Sequence, residues 1–195
     1  MEEHDAPKIT EPTRHIAAYG VASDTASDLP SPWHLDAREE RSLMAATQRR
    51  SRRIMMTPAE LDEFLATQRM CRVATVSRDG APHVSALWFA WDGTSLWLYS
   101  IVRSKRWADL RHDPRVAVVV DSGEGYGELR GVELSGAVEF VGEIPRSGEP
   151  CAELDALEPV FARKNFGLEA MPHDGRHAWT RLTPSKTVSW DFRKL

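Results

Sequence analysis

Three short apolar runs joined by two tight turns limit this chain more than any other feature. CRVATVS ends at Arg78-Asp79-Gly80, PHVSALWFAWDG follows and turns on Asp92-Gly93, and TSLWLYSIV comes next. Asp-Gly is a hairpin signal, because glycine accepts the positive φ that such turns demand. Connections this short cannot carry a parallel crossover, so the runs predict consecutive antiparallel strands. RVAVVVD, after Pro114, predicts a fourth strand and GVELSGAVEFVG a fifth. In the fifth, Val132, Leu134, Gly136, Val138 and Phe140 share one face, opposite Glu133, Ser135, Ala137, Glu139 and Val141. HAWTRLTPSKTVSWDFRKL predicts one or two more strands around Pro184.

Helical signals are fewer. In TPAELDEFLATQ, Thr57 caps, Pro58 takes the first helical position and Glu60 completes a capping box. Leu61, Phe64 and Leu65 then form one apolar stripe. EPCAELDALEPVFARKNFG reads as helical, with Pro159 expected to break or kink it. The fold class is therefore mainly β with flanking helices.

Residues 1 to about 36 are rich in Pro, Ser, Asp and Thr, and read as an arm that is disordered or laid over a partner. DAREERSLMAATQRRSRR is helix-prone and carries Arg38, Arg41, Arg49, Arg50, Arg52 and Arg53 against Glu39 and Glu40. A solvated face or a subunit contact explains that surplus more simply than nucleic acid, since the whole chain has a net charge of -4. The expected division is an N-terminal arm over 1–53 and a compact domain over 57–195. No apolar run approaches the ~20 residues of a membrane span. MEEHDAPKIT lacks the apolar centre of a secretory signal, so a cytoplasmic protein is expected. Cys71 and Cys151 imply neither a disulfide framework nor a zinc cluster.

The second and third strands are apolar on both faces. Leu87, Phe89 and Trp91 alternate with Ala86, Trp88 and Ala90, and Leu96 and Leu98 with Trp97, Tyr99 and Ile101. One face can line a barrel; the other needs a second layer, most simply another subunit. A homodimer is expected.

SIVRSKRWADLRHDPRV holds the main candidate site. Ser104 is a good N-cap, and the first turn of the helix it opens carries Lys105 and Arg106, with Arg103 just before. Helix N-termini favour anions, so cations there are locally unfavourable. Two readings stand: a bound phosphate neutralises the pair, or acids such as Asp109 or Asp113 do so.

From about residue 57 onward the chain resembles the pyridoxamine 5'-phosphate oxidase-like split β-barrels, which are antiparallel Greek-key barrels. VATVSRDGAPHVSALWF, SIVRSKRWADLRHDPRVAVVVD and RLTPSKTVSWDF carry the resemblance. It implies a homodimer with FMN, or the deazaflavin coenzyme F-420, in a groove between subunits. His83, Val84, Ser85, Ala86, Leu87 and Trp88 would line the ring and its side chain. Ser100, Ile101, Ser104, Lys105 and Arg106 would hold the phosphate, and Trp190 and Arg193 would come from the second subunit.

Departures narrow the resemblance. The oxidases carry Arg-Lys where this chain has Lys105-Arg106, and an Arg on the second strand where it has Ser85. The latter weakens FMN and leaves room for the deazaflavin. The chain also ends at Arg-Lys-Leu, without the family's longer basic stretch for pyridoxal phosphate. Pyridoxamine phosphate oxidation is therefore not expected; an oxidoreductase acting on another small organic molecule is.

No side chain announces itself as catalytic, as fits a cofactor that performs the redox step itself. His83 is the one ring-adjacent proton donor in view. The alternative is a non-catalytic flavin or haem binder, with His83, His112, His173 and His177 as possible axial ligands. MPHDGRHAW reads better as a turn than as a metal site. GEGYGELRG reads as a flexible loop rather than a phosphate loop.

Overall fold

The computed structural model describes residues 52–195. The expected arm lies outside the described residues, save Arg52 and Arg53 in a 3-10 turn, Arg52–Ile54. Helix α1 (Pro58–Thr67) starts on a complete capping box: Thr57 Oγ1 accepts from the Glu60 N–H and Glu60 Oε2 from the Thr57 N–H. Strands β1 (Met70–Val76), β2 (Pro82–Trp91) and β3 (Leu96–Ile101) then run as the antiparallel meander expected. Gly80 and Gly93 close their turns at φ 81° and 96°.

Helix α2 (Lys105–His112), β4 (Arg115–Ser122), β5 (Arg130–Val141), α3 (Ala152–Phe166), β6 (His177–Leu182) and β7 (Lys186–Asp191) complete the chain. The strand order is β4-β1-β2-β3-β6-β5-β7, and a further β4–β5 pairing closes six strands into a barrel, leaving β7 outside on β5. All pairs are antiparallel.

The barrel is split because β2 and β5 each serve two sheets. β2 pairs with β1 from Pro82 to Trp88, but with β3 only from Phe89 to Trp91. Ahead of Phe89, β2 and β3 diverge. β5 likewise changes partner, from β4 to β6, between Ala137 and Val138.

Alternate residues fill the barrel: Cys71 and Val73, Leu96 and Leu98, Val116, Val118 and Val120, Val132 and Leu134. Phe64 and Leu65 of α1 and Leu110 of α2 join that core. A second core lies outside, where Ala90, Trp97 and Trp179 pack against Leu154, Leu157, Phe161 and Ala162 of α3.

Two expectations change here. Pro159 neither breaks nor ends α3, which runs unbroken from Ala152 to Phe166. Burial of four α3 side chains outweighs the one hydrogen bond a proline forfeits. And α3, not a second subunit, covers the outer face where β2 meets β3; further along, Val84 (63% exposed), Trp88 (37%) and Ile101 (36%) remain open. Among the described residues no helix is long and apolar enough to cross a membrane.

Candidate functional site

Ser104 has extended backbone (φ -76°, ψ 156°), and its Oγ accepts from the Trp107 N–H at 3.2 Å, which starts α2. Neighbouring helical residues point about 100° apart, and that rotation separates the two cations. Lys105 stays half exposed, with Nζ 3.2 Å from Asp109 Oδ1. Asp109 is buried and also accepts from Thr75 Oγ1 at 2.9 Å. Arg106 is only 8% exposed. Its guanidinium enters the gap between the diverging strands, where Nη1 donates to Ser85 Oγ at 2.5 Å and Nη2 to Ser100 Oγ at 3.2 Å.

No Asp or Glu among the described residues pairs with Arg106, and its buried Nε donates to nothing. Burial lowers its pKa, with only the Cys71 sulfur acting the other way. A guanidinium stays charged in a protein and carries five donors, two of which are used here. A desolvated cation without a counter-ion is costly, and a bound anion would remove the cost. Of the two readings of the cation pair, acids account for Lys105 and not for Arg106; Asp113 is taken by Arg115 at 2.7 Å.

Along β2 the other candidate residues alternate. Ser85 and Leu87 turn inward, Ser85 to Arg106 and Leu87 against the core, while Val84, Ala86 and Trp88 face outward. His83 is half-buried. On β3, Ser100 is buried beside Arg106 and Ile101 is open. A pocket of about 360 Å³ adjoins Leu87 and Trp88, between the outer face of β3 and the end of α3.

The family model described as Pyridoxamine 5'-phosphate oxidase matches residues 57–191. The chain belongs to that family. Among solved structures, a conserved hypothetical protein Rv2991 from Mycobacterium tuberculosis is 29% identical, with a TM-score of 0.63, over 75% of this chain and 91% of that one. An F420 reductase is 23% identical, with a TM-score of 0.51, over 65% of this chain and 94% of the other. HutZ, the haem storage protein from Vibrio cholerae, is 18% identical, with a TM-score of 0.52, over 68% and 93%. The last two share the fold. Among curated proteins there is no match.

For a member of the pyridoxamine 5'-phosphate oxidase family, Ser85 is informative. Its hydroxyl, on the second strand, accepts from the guanidinium that Arg106 brings in from α2. Trp190 and Arg193 stand apart from this group within the chain. β7 lies beyond β5, where a Cβ on Gly131 would come within 2.4 Å of Trp190 Cζ2, and Arg193 Nη2 is 2.6 Å from Asp191 Oδ2.

Sequence reasoning passed over a second buried arginine. Arg146 is 1% exposed; its Nε donates to Glu158 Oε1 at 2.7 Å, and Nη1 meets Glu143 and, at 2.5 Å, the Glu149 carbonyl. Glu158 also accepts from Trp179 Nε1 at 2.9 Å and lies 3.1 Å from His173 Nε2. In sequence Arg146 sits in IPRSGEP, an irregular stretch without periodicity to mark it as buried. His177 Nδ1 lies 2.7 Å from Asp174 Oδ2, so the two histidines of MPHDGRHAW face different carboxylates. Their spacing was the only available signal.

Proposed function

We propose that this chain is a flavin-type oxidoreductase that binds FMN or the deazaflavin coenzyme F-420 and acts on a small organic molecule. The observation that carries the proposal is Arg106, buried, charged and without a carboxylate. Ser85 and Ser100 hold its guanidinium in place, so its remaining donors are oriented before a phosphate arrives. Lys105, tied to Asp109, adds a second, more exposed positive charge at the same helix start. The open outer residues Val84, Ala86, Trp88 and Ile101 offer an apolar seat for a flat ring and for a second copy of the chain, giving a homodimer. A bound flavin or deazaflavin supplies the hydride chemistry from its own ring; the protein binds, orients and shields it from water.

A haem-binding reading, which the likeness to HutZ raises, leaves Arg106 without a role. Absorption of the purified protein separates the two, since flavin and haem bands differ. Titration of the apoprotein with FMN and with F-420, followed by fluorescence quenching, tests the proposal directly. Changing Lys105 and Arg106 together to Ala should weaken binding by about 2–4 kcal/mol. No interaction with either cofactor, or an unchanged dissociation constant in the double variant, sinks the reading.

A further inference from the structure

The pocket under α3 has a character opposite to that of the Arg106 site. Leu87, Trp88, Tyr99, Phe161, Phe166 and Pro172 make its walls. The rings brace one another edge to face: Trp88 on Phe166 at 5.5 Å, Phe166 on Phe161 at 5.9 Å, and Phe161 on Tyr99 at 6.0 Å. Such mutual support keeps an apolar slot open, and about 360 Å³ is at the lower end of the range for small-ligand pockets.

Two polar residues complete the lining, Asp174 and His177. Asp174 Oδ1 accepts from the backbone N–H of Arg176 at 2.9 Å and of His177 at 3.2 Å, which holds the carboxylate in position. Its Oδ2 takes His177 Nδ1 at 2.7 Å, and the imidazole stacks on Tyr99 with ring centres 4.7 Å apart and planes 17° off parallel. Ring plane and the Nδ1 hydrogen bond are thus both set, by Tyr99 and Asp174, which leaves Nε2 as the ring nitrogen available to a ligand. No residue among those described hydrogen-bonds Nε2. Burial, then Asp174 and Glu158, push the Tyr99 hydroxyl up to about 12, so it remains a neutral O–H; it is buried and without a hydrogen-bond partner. No lysine or arginine lines the pocket.

We propose that this pocket binds a neutral, planar aromatic molecule, whose hydroxyl at one edge hydrogen-bonds His177 Nε2. The rings supply stacking and apolar burial, and the fixed imidazole supplies orientation. An anionic head group would meet the Asp174 carboxylate with no lysine or arginine in the lining to offset it, so phosphorylated ligands are rejected. Because Trp88 belongs both to this pocket and to the seat of the cofactor ring, the ligand is the substrate; that assignment rests on the cofactor reading, whereas binding itself does not.

Equilibrium dialysis of the full-length apoprotein against naphthol and naphthyl phosphate tests this. Naphthol should bind saturably at one site per chain, and naphthyl phosphate at least about tenfold more weakly. Phe166→Ala, at a position already 40% exposed, should loosen naphthol by about tenfold. His177→Phe, which keeps the stack on Tyr99 but removes Nε2, should loosen it by about fivefold. Arg106→Met should leave naphthol binding unchanged while weakening FMN or F-420. Absence of saturable naphthol binding, equal affinity for the phosphate ester, or indifference to both pocket variants overturns the proposal. Naphthol binding in a protein that takes neither cofactor leaves the pocket standing and removes the cofactor reading alone.

Discussion

Arg106 and Arg146 are both buried, at 8% and 1% exposure, yet the protein holds them in opposite ways. Arg146 is over-provided: Glu158, Glu143 and the Glu149 carbonyl take its donors, and the Glu158 bond leads the interactions that raise its pKa against burial. Arg106 has two serine hydroxyls and an unused Nε, and burial lowers its pKa. A structural arginine brings its counter-charges from its own chain. Arg106 lacks them, and on the reading proposed above a bound phosphate supplies the missing charge. Burial alone therefore says little about an arginine's purpose; neutralisation by the chain says more.

The difference predicts opposite outcomes for the same substitution. Arg146→Met should be the most damaging, because it strands Glu158 in a nearly dry site. A loss of about 3–5 kcal/mol is expected, seen as a fall in thermal midpoint of roughly 8–15 °C. Survival of the wild-type midpoint would mean that the network is not what ties α3 to the barrel. Arg106→Met should leave the apoprotein's midpoint where it is, or raise it, because removing an unpaired buried charge relieves desolvation. Its cost should show in the cofactor, about 2–3 kcal/mol of affinity by fluorescence titration. A large loss of apoprotein stability would make Arg106 a brace after all.

The smallest effect is a slope with pH. Burial pushes the Glu143 carboxyl up, but hydrogen bonds from its own backbone N–H, from Arg146, from the Glu149 N–H and from Ser147 outweigh this and leave its pKa at about 2. Glu158 is lowered likewise: burial opposes, while Arg146, Trp179 and His173 prevail. A depressed folded-state pKa gives stability that is complete above the ordinary carboxyl value of 4.5 and is lost as pH falls towards 2. Thermal melts between those limits should show the midpoint dropping with acid, and Arg146→Met should flatten that dependence. Arg106→Met, with no carboxylate attached, should not alter it.

Much of the barrel could be read in advance. The Asp-Gly turns placed the β1–β2–β3 meander, the Thr57–Glu60 box placed the start of α1, and the two-residue period of Val132 and Leu134 placed the inner face of β5. Pro159 misled because a local penalty says nothing about the surface its helix will bury. Apolar residues on both faces of β2 correctly implied a second layer, but not that α3 provides part of it. Arg146 carried no signal at all, since its partners are 3 to 12 positions away in irregular chain and helix.

What the sequence determined by itself was local: strand period, turn chemistry, caps, and a pair of cations at a helix start where the dipole disfavours them. Which cation is buried was decided only in three dimensions. Lys105 and Arg106 are adjacent and alike in charge, yet a turn of about 100° sends one towards solvent and Asp109 and the other into the gap between β2 and β3. That gap exists because β2 changes partner at Phe89, a register that depends on strands distant in the chain. Desolvation and counter-charge are properties of such assembled surroundings, and no residue's own spelling contains them.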